Sequence, residues 1–588
     1  MRHLFPIVDH EVDFCVVGGG IAGLCAAVSA ARHGLRVVLM HERPVLGGNA
    51  SSEIRMWICG AGDEWRETGI LEELAMENAR INSRRLYPMW DAVLYGIVAA
   101  EKNITLLLNC SCMDGEAENG VLRSVTGWQM TTQQFHRVRA RLFADCSGDS
   151  ILAPISGAER RTGREAADEY GESLAQAETD GKTMGMSCLL QARETPEPRS
   201  YTPPAFAHRF DEKTINRRIP NPKNPFENYW YLELSGEDPI GDTEKTRDEL
   251  LRIAYGVWDF VKNQRSGNEN FELDWLGYLP GKRESRRYIG DVVLTQRDLE
   301  GGGAPFADVV AYGGWPMDDH PPEGFYAEAP PNRNAGTARP YGIPFRALYS
   351  RNIGNLLFAG RNISVSHVAL TSTRVMATCG LMGQAVGTAA AIAVAENCTP
   401  REIAAEHIGR LQQTLMEDDC FLPGMAMAVG ALTRRARLTG SVDTALENLR
   451  NGQDRAVGGS DNGWSCPLGG WFEYAFEEPT DVGALRIVFD SYLTRGCGKH
   501  MEERYTTKAN TLLGERDVGL PETLVSNYDL VITGADGMTR RMEYRGNARR
   551  LVVLPIDMTV LSVRVELLET YGARTAHVFS ATLKPAKA

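Results

Sequence analysis

Residues 12–42 constrain the fold more than any other part of the chain, because a glycine-rich turn there connects two apolar segments. The segment is VDFCVVGGGIAGLCAAVSAARHGLRVVLMHE. Its pattern predicts a buried strand at 14–17, a tight turn at 18–23, a helix that ends near Gly34 and a second strand at 36–40. Strand, glycine turn, helix and strand together are typical of a unit that binds a dinucleotide.

Each glycine of the GxGxxG pattern has a separate role in such a unit. Gly18 permits the tight turn, Gly20 lets the backbone come close to a pyrophosphate, and Gly23 lets the helix pack on the strand. The free N–H groups of the first helical turn, which holds Ile21 and Ala22, face the phosphates. Glu42 follows the second strand, where an acid accepts hydrogen bonds from a ribose diol.

Three later segments are candidates for contact with the same ligand. Residues 43–55 (RPVLGGNASSEIR) form a loop of small polar residues that suits a large planar ligand. Residues 138–149 predict a strand that ends in a small-residue turn and an acid, and 355–362 (NLLFAGRN) predict a strand that opens on a glycine. A long helix is expected at 373–395, with Gly380, Gly383 and Gly387 on one face, where they permit close approach to another backbone.

Two later regions differ from the cofactor segments in composition or in the spacing of their apolar residues. Residues 166–345 are rich in proline, tryptophan and charged residues, and from about 455 the apolar residues alternate as in strands. A capping box at 399–402 predicts a helix start, and Ala535-Asp536-Gly537 predicts a hairpin turn. We expect five segments: a cofactor domain at 1–165 and 346–400, a substrate domain at 166–345, a helical linker at 401–454, and a β domain at 455–588.

Composition excludes several classes of function. The 588 residues include 63 basic and 76 acidic residues, and a net charge of −13 disfavours nucleic acid as a partner. No stretch approaches about 20 uninterrupted apolar residues and no leader precedes the first strand, so we expect a cytoplasmic protein without a membrane segment. The twelve cysteines are scattered without a CxxC pair, so no metal site or disulfide framework is expected.

The chain resembles the bacterial FAD-dependent oxidoreductase family, a branch of the glutathione reductase-like flavoproteins, over about residues 12–400. The motifs that carry the resemblance are CVVGGGIAG, RPVLGGNASSEIR, ADCSGDS, GKRESRRYIGDVVLT and NLLFAGRNISVSHVALTSTRVMATCGLMGQAVGTAAA. The resemblance implies an α/β fold: a Rossmann-like FAD-binding domain of the glutathione reductase-like type with an inserted α+β substrate domain. A C-terminal antiparallel β-sandwich completes the expected architecture.

The resemblance also implies noncovalently bound FAD. It implies that the first glycines bind the pyrophosphate, that Glu42 binds the ribose, that the 47–49 loop lies near the flavin, and that two later glycine turns close around the ribityl and phosphate groups. The start of the 373–395 helix would point its amides at the flavin pyrimidine. The expected cofactor residues are Gly18, Gly20, Ile21, Ala22, Gly23, Glu42, Arg43, Gly47, Gly48, Asn49, Ser52, Gly148, Asp149, Gly360, Arg361 and Gly380.

Three residues are candidates for catalysis. His367 lies between the third strand and the long helix, where a histidine could move a hydroxyl proton, although a core histidine with hydrogen bonds would give the same pattern. Arg374 opens that helix, where a cation opposes the helix dipole, so we expect it to bind substrate or flavin charge, although a structural arginine paired with a carboxylate would give the same pattern. Arg287, with Arg283 and Arg286, forms either an anion clamp or a solvated, ion-paired face.

These observations favour an oxidoreductase that moves a hydride between flavin N5 and an alcohol or ketone carbon of a small substrate, with a sugar or polyol among the candidates. An electron donor or acceptor is expected but unidentified, because the sequence has no second GxGxxG, and a homo-oligomer is left open. Two alternatives stay open. One is a flavin-dependent lyase or isomerase that acts by transient oxidation. The other is a carbohydrate-binding protein with a vestigial flavin domain.

Overall fold

The computed structural model describes residues 4–215, 230, 232–301, 306–495, 506–508 and 511–586. The chain divides into two compact units. The first unit consists of residues 1–62, 84–411 and 505–517, and the second of 63–83, 412–504 and 518–588. Residues 63–83 therefore belong to the second unit, although they lie within the expected first segment of the cofactor domain.

The strands of the described residues are β1 (Ile7–Val17), β2 (Val37–Met40), β3 (Ile104–Leu107), β4 (Cys110–Glu118), β5 (Val121–Gln129), β6 (Gln134–Asp145), β7 (Arg160–Arg161), β8 (Met186–Ser187), β9 (Leu190–Glu194), β10 (Glu233–Leu234), β11 (Phe271–Leu276), β12 (Gly281–Lys282), β13 (Arg287–Tyr288), β14 (Val309–Gly313), β15 (Met317–Asp319), β16 (Arg333–Ala335), β17 (Tyr341–Pro344), β18 (Leu356–Phe358), β19 (Arg437–Gly440), β20 (Trp464–Pro467), β21 (Gly470–Phe489), β22 (Val525–Gly534), β23 (Thr539–Tyr544), β24 (Leu551–Thr570) and β25 (Thr575–Lys584). The α-helices are α1 (Ile21–Arg32), α2 (Ile70–Ile81), α3 (Tyr87–Ala99), α4 (Leu152–Ser156), α5 (Ala167–Tyr170), α6 (Thr243–Asp259), α7 (Gln296–Glu300), α8 (His367–Thr373), α9 (Met376–Glu396), α10 (Pro400–Glu402), α11 (Ile408–Glu417) and α12 (Ala431–Arg435).

The main sheet of the first unit is mostly parallel and has the strand order β3-β2-β1-β6-β5-β4. Strand β1 pairs in parallel with both β2 and β6. The other edge of β6 pairs with antiparallel β5 along its first half and with parallel β18 at its end. The sequence after residue 345 therefore returns to the same sheet, as expected from its apolar strand pattern.

Helix α9 packs on α1 along the face that carries its small residues. A Cβ built on Gly383 would stand 2.0 Å from the carbonyl oxygen of Ala22, and one built on Gly387 would stand 2.3 Å from that of Ala26. The expected close approach of glycines to a neighbouring backbone is confirmed. By length and composition α9 could cross a membrane, but 89% of its most apolar window is buried inside the protein.

The expected helix at 373–395 is two helices in the structure. Helix α8 ends at Thr373, Arg374 caps it, and Val375 is extended at φ −68° and ψ 144° before α9 begins at Met376. Arg374 therefore lies in the break between two helices and does not open a helix. A β-branched residue such as Val375 adopts the extended conformation readily, which favours the break at this position.

Small antiparallel sheets in the 166–345 segment bring distant residues together. Strands β10, β8 and β12 form one sheet, in which Ser187 pairs with Glu233 on one side and with Gly281 on the other. Strands β15 and β16 form another, with Asp318 opposite Asn334. These pairings place charged residues from three parts of the sequence close to the main sheet.

The second unit contains a seven-stranded antiparallel sheet with the order β20-β25-β21-β24-β22-β23, in which β19 also pairs with β21. Its alternating apolar residues are buried as the sequence pattern predicts: Phe472, Tyr474, Val563, Val565 and Leu567 are all within its core. The expected hairpin turn at 535–537 connects β22 and β23. The capping box at Thr399, in the first unit, is also confirmed.

Candidate functional site

Four parallel strands of the first unit end at one edge of the main sheet. Val17 is in register with Met40 of β2 and with Asp145 of β6, and Asp145 is in register with Phe358 of β18. The turns that follow these strands hold the predicted cofactor segments. Ligands of open α/β sheets bind outside the carboxyl ends of parallel strands, and this edge is therefore the candidate site.

The glycine turn after β1 is packed too tightly for side chains. Gly18 has φ +104°, and its Cβ would stand 2.4 Å from the backbone of Cys146. A Cβ on Gly23 would stand 1.8 Å from the carbonyl oxygen of Gly18. At Gly20 the nearest heavy atom to a Cβ is the Gly48 Cα, at 3.9 Å, so this position faces open space. The turn therefore exposes its backbone where a pyrophosphate is expected.

The 43–55 loop lies directly on that turn. Gly47 donates its N–H to the carbonyl of Gly19 at 2.8 Å. The N–H of Gly19 donates to Nδ1 of the buried His41 at 3.0 Å, and His41 Nε2 lies 3.0 Å from the carbonyl oxygen of Val45. The imidazole thus ties the glycine turn to the loop. Sequence analysis missed this role of His41, although its place between β2 and Glu42 was a signal.

Asp149 organises a charged cluster on the wall of the site. Its carboxylate accepts from Arg361 at 2.7 Å, from Lys282 at 2.9 Å and from the Ser285 hydroxyl at 2.7 Å. Burial raises the pKa of Asp149, but Arg361 and Lys282 outweigh it and lower this pKa to about 2. The carboxylate is therefore ionised and holds two cations in place. Gly148, at φ +77°, leaves room for the Arg361 guanidinium, which would stand 2.5 Å from a Cβ.

These groups line one cleft. Its empty space, including the part open to solvent, is about 1160 Å³. Twelve of the predicted cofactor residues line it: Gly18, Gly20, Ile21, Ala22, Glu42, Arg43, Gly47, Gly48, Asn49, Gly148, Gly360 and Arg361. Four others, Gly23, Ser52, Asp149 and Gly380, lie outside the lining. Two of these four contact lining residues directly. Gly23 packs against Gly18, and Asp149 accepts a hydrogen bond from Arg361.

The part of the cleft beyond the glycine turns is apolar and positively charged. Of the three catalytic candidates, Arg374 lines it. The other lining residues are His41, Ile54, Met56, Trp57, Cys59, Cys146, Ser147, Ser187, Leu189, Trp230, Gly281, Lys282, Arg283, Trp315, Asp318, Val375, Met376 and Cys379. Tryptophans 57, 230 and 315 come from distant parts of the sequence, and no local pattern marked them.

A chain of buried ion pairs runs along this wall. Arg283 lies 3.0 Å from Glu233, and Glu233 lies 2.9 Å from His320. Burial raises the pKa of Glu233, but Arg283 and then His320 outweigh it and hold this pKa below its ordinary value. The chain continues from His320 to Asp318 at 3.2 Å and from Asp318 to Arg374 at 3.0 Å.

His367 is not part of the cleft lining. Its Nδ1 lies 3.0 Å from Glu284 and its Nε2 3.4 Å from Asp319. Burial lowers the pKa of His367, but Glu284 and Asp319 outweigh it and raise this pKa to about 9. The imidazole is therefore a buried cation between two carboxylates, an environment that Ser364-Val365-Ser366 gave no reason to expect.

Arg287 is also outside the cleft lining. Its fully buried guanidinium lies 2.8 Å from Glu165 and donates to the carbonyl oxygens of Val365, at 2.8 Å, and Gly163. These partners make Arg287 an internal anchor of the inserted segment and not a clamp for an anion in the cleft. Of the three neighbouring arginines, Arg283 is the one that lines the cleft.

One thiol of the cleft lining is deeply buried. Burial raises the pKa of Cys379 to about 12, so this lining thiol is neutral at physiological pH. Among the residues that the structure describes, no group of three or more His, Cys, Asp or Glu side chains could hold a metal ion.

The sequence model of the family described as FAD dependent oxidoreductase matches residues 13–415. The chain belongs to this family. It is therefore an enzyme whose cofactor is FAD, as the resemblance of its motifs implied. The matched region contains every residue that lines the cleft.

The cleft of this FAD-dependent oxidoreductase fits the pyrophosphate and the adenosine ribose of FAD. Gly20 faces open space where a pyrophosphate is expected, and Glu42 lines the cleft where an acid binds ribose. Arg361 also lines it, and its buried Nε has no hydrogen-bond partner among the described residues. A buried, unpaired guanidinium N–H is costly unless an acceptor binds it, and an oxygen-rich cofactor supplies acceptors.

The oxidoreductase is similar to a curated protein and to solved structures over smaller regions. Sarcosine oxidase subunit alpha from Corynebacterium sp. (strain U-96) is 33% identical over 131 residues, which are 21% of this chain and 13% of that subunit. A geranylgeranyl bacteriochlorophyll reductase-like protein from Thermoplasma acidophilum has 11% identity, covers 70% of this chain and 85% of its own, and gives a TM-score of 0.30.

The family 32 carbohydrate-binding module from Streptococcus pneumoniae EndoD has 15% identity, covers 26% of this chain and 97% of its own, and gives a TM-score of 0.19. Both TM-scores are below the level at which whole folds correspond. The match to the sarcosine oxidase subunit spans a small part of that protein. These similarities therefore do not identify the substrate of this oxidoreductase.

Proposed function

We propose that this oxidoreductase exchanges a hydride between FAD and a carbon of a small organic molecule that binds at the tryptophan-lined end of the cleft. One observation carries the proposal: the predicted cofactor residues and Arg374 line the same cleft. FAD supplies hydride acceptance or donation at its flavin ring. The chain supplies binding, orientation and charge.

The residues of the cleft divide these tasks by position. The glycine turn binds the pyrophosphate through its N–H groups, Glu42 accepts from the ribose, and Arg361 binds a negatively charged or oxygen-rich part of the cofactor. Tryptophans 57, 230 and 315 exclude water from the substrate end. Arg374 supplies the positive charge against which the substrate is oriented.

We propose an alcohol or ketone as the reacting group. In the oxidative direction bound FAD would take up the hydride from the carbon, and the hydroxyl proton would leave to solvent through the open side of the cleft. The lining is apolar and positively charged, so the proposal covers alcohols and ketones in general and not sugars or polyols in particular. His367 takes a positioning role, since its imidazole is held between Glu284 and Asp319.

Anaerobic mixing of the holoenzyme with a panel of alcohols tests this proposal by the loss of flavin absorbance. We expect at least one alcohol to bleach the flavin, and Arg374→Gln to slow bleaching at least tenfold while FAD stays bound. The control is Arg346→Gln, which breaks a similar arginine–aspartate pair with Asp308 outside the cleft. Equal bleaching rates for wild type and Arg374→Gln would contradict the assigned role of Arg374.

We further propose that the second unit folds as a β-sandwich. Its two twenty-residue strands, β21 and β24, pair with register shifts between Ala475 and Thr480 and between Val482 and Ala484. Strands that turn a corner between two sheets bend at such bulges. We assign this unit a packing or oligomer-forming role; light scattering that gives one monomeric mass at all concentrations would contradict an oligomer.

Three finer assignments are also proposals. We propose the glutathione reductase-like type for the FAD-binding domain, because the strand β6 and the late strand β18 both return to the cofactor edge. We propose a cytoplasmic location, since the described cysteines are free thiols. An external electron donor or acceptor completes turnover, because the sequence has a single GxGxxG.

A further inference from the structure

We propose that the substrate of this cleft is an organic acid, whose carboxylate binds to Arg374. This inference rests on the proposed function and names its substrate class. It starts from the five charged residues Arg283, Glu233, His320, Asp318 and Arg374, which we call the wall network. Three of them, Arg283, Asp318 and Arg374, line the cleft.

Basic and acidic side chains alternate along the wall network without a break. Its four contacts measure 3.0, 2.9, 3.2 and 3.0 Å between consecutive side chains. The inner members are buried almost completely: the side chain of Glu233 is 0% exposed and that of His320 is 2% exposed. Solvent therefore does little to balance charge within the network.

His320 lies between the two carboxylates of the network. Its Nδ1 faces a Glu233 oxygen and its Nε2 faces an Asp318 oxygen. The network therefore holds two arginines and two carboxylates around His320, and both arginines line the cleft. Cations that line a cleft attract an anionic ligand.

The free hydrogen-bonding capacity of the network is at Arg374. Arg283 already donates to the Gly185 carbonyl and the Ser187 hydroxyl through Nη1, and to the Trp230 carbonyl through Nη2. Arg374 donates through Nη2 to the carbonyl and carboxylate of Asp318. Its buried Nε has no hydrogen-bond partner among the described residues. A carboxylate is a strong acceptor for such a guanidinium N–H group.

The neighbours of Arg374 indicate the rest of the ligand. Val375 and Met376, the start of α9, line the cleft beside it, and a helix start favours negative charge. Tryptophans 57, 230 and 315 form apolar walls of the same cleft. An acid with an apolar body matches both features, whereas a neutral polyol matches neither.

Benzoate and benzamide are a matched pair of probes, because they share size and ring and differ in charge. Each is titrated into the oxidised holoenzyme, and binding is followed by the shift in flavin absorbance. We expect benzoate to bind at least tenfold more tightly than benzamide. The flavin ring is neutral in the oxidised enzyme. Tighter binding of benzoate in that state therefore indicates an anion site for the substrate, and not a cation whose only role is to neutralise the reduced flavin.

Variants locate the preference within the network. Arg374→Gln should remove the preference for benzoate, and Asp318→Asn, which deletes a competing carboxylate, should tighten benzoate binding several-fold. Arg346→Gln should leave the preference unchanged. Equal binding of benzoate and benzamide to the wild-type holoenzyme, or an unchanged preference in Arg374→Gln, would overturn the proposal. A protein that fails to take up FAD would overturn the proposed function instead.

Discussion

Gly383 of α9 lies so close to Ala22 of α1 that a Cβ on Gly383 would stand 2.0 Å from the Ala22 carbonyl oxygen. Ala22 belongs to the first turn of α1, which lines the cleft. The close contact between the two helices therefore sets the position of the glycine turn. It connects a small-residue pattern near residue 383 to cofactor binding at residue 22.

Gly383→Ala should destabilise the first unit by about 1–3 kcal/mol, because the added methyl forces two backbones apart. Urea unfolding measures the change in the free energy of unfolding. The control is Gly409→Ala in α11, where a Cβ meets nothing within 4 Å. That substitution should be neutral or stabilising by up to about 1 kcal/mol. Equal stabilities for the two variants would show that the helices tolerate separation.

Gly20→Ala should reduce FAD affinity at least tenfold without weakening the fold. Gly20 has φ −66°, which any residue adopts, and its Cβ would project into open space toward the expected pyrophosphate. Gly96→Ala in α3 is the matched control, since nothing lies within 4 Å of its Cβ. Fluorescence titration of the apoprotein with FAD measures both affinities. Wild-type affinity in Gly20→Ala would contradict the placement of the pyrophosphate.

Arg361→Gln should lower FAD affinity about tenfold and weaken its dependence on salt, because a cation facing the cofactor is lost. The Asp149 carboxylate keeps its contact with Lys282 at 2.9 Å, so the wall of the cleft is retained. FAD titrations at low and high salt measure both effects. Arg346→Gln should behave like wild type, and a similar loss in that variant would assign the effect to general charge.

The strands and turns of the cofactor domain could be predicted from sequence because their signals are local. The glycines of residues 18–23 and the apolar strand at 355–358 each mark their own structure, and parallel pairing then brings the strand ends together. The face of α9 was predictable for the same reason, since glycines three and four residues apart share one side.

The substrate end of the cleft could not be predicted, because its residues meet through tertiary contacts. Trp57, Trp230 and Trp315 follow no common pattern, and Glu233 reaches His320 through the pairing of short strands. The charge run at 283–287 was ambiguous from sequence. Arg283 lines the cleft, whereas Arg287 is buried beside Glu165.

His367 should make the stability of the first unit depend on pH. Its pKa is raised to about 9 in the folded chain by Glu284 and Asp319, against burial, and is about 6.5 when unfolded. The stabilisation is therefore complete below about pH 6.5 and is lost as pH rises through about 9, by up to about 3 kcal/mol. Unfolding at several pH values should show this loss in wild type and not in His367→Gln. The exposed His33→Gln should keep the wild-type profile.

The most direct test of the account is the amount of FAD bound per chain. The protein is saturated with FAD, freed of excess cofactor and denatured, and the released flavin is identified and quantified against protein. We predict one FAD per chain, released without covalent attachment, and a large loss of bound flavin in Gly20→Ala. A wild-type protein that binds no FAD at saturating concentrations would contradict the convergence of the strand ends on a single cofactor.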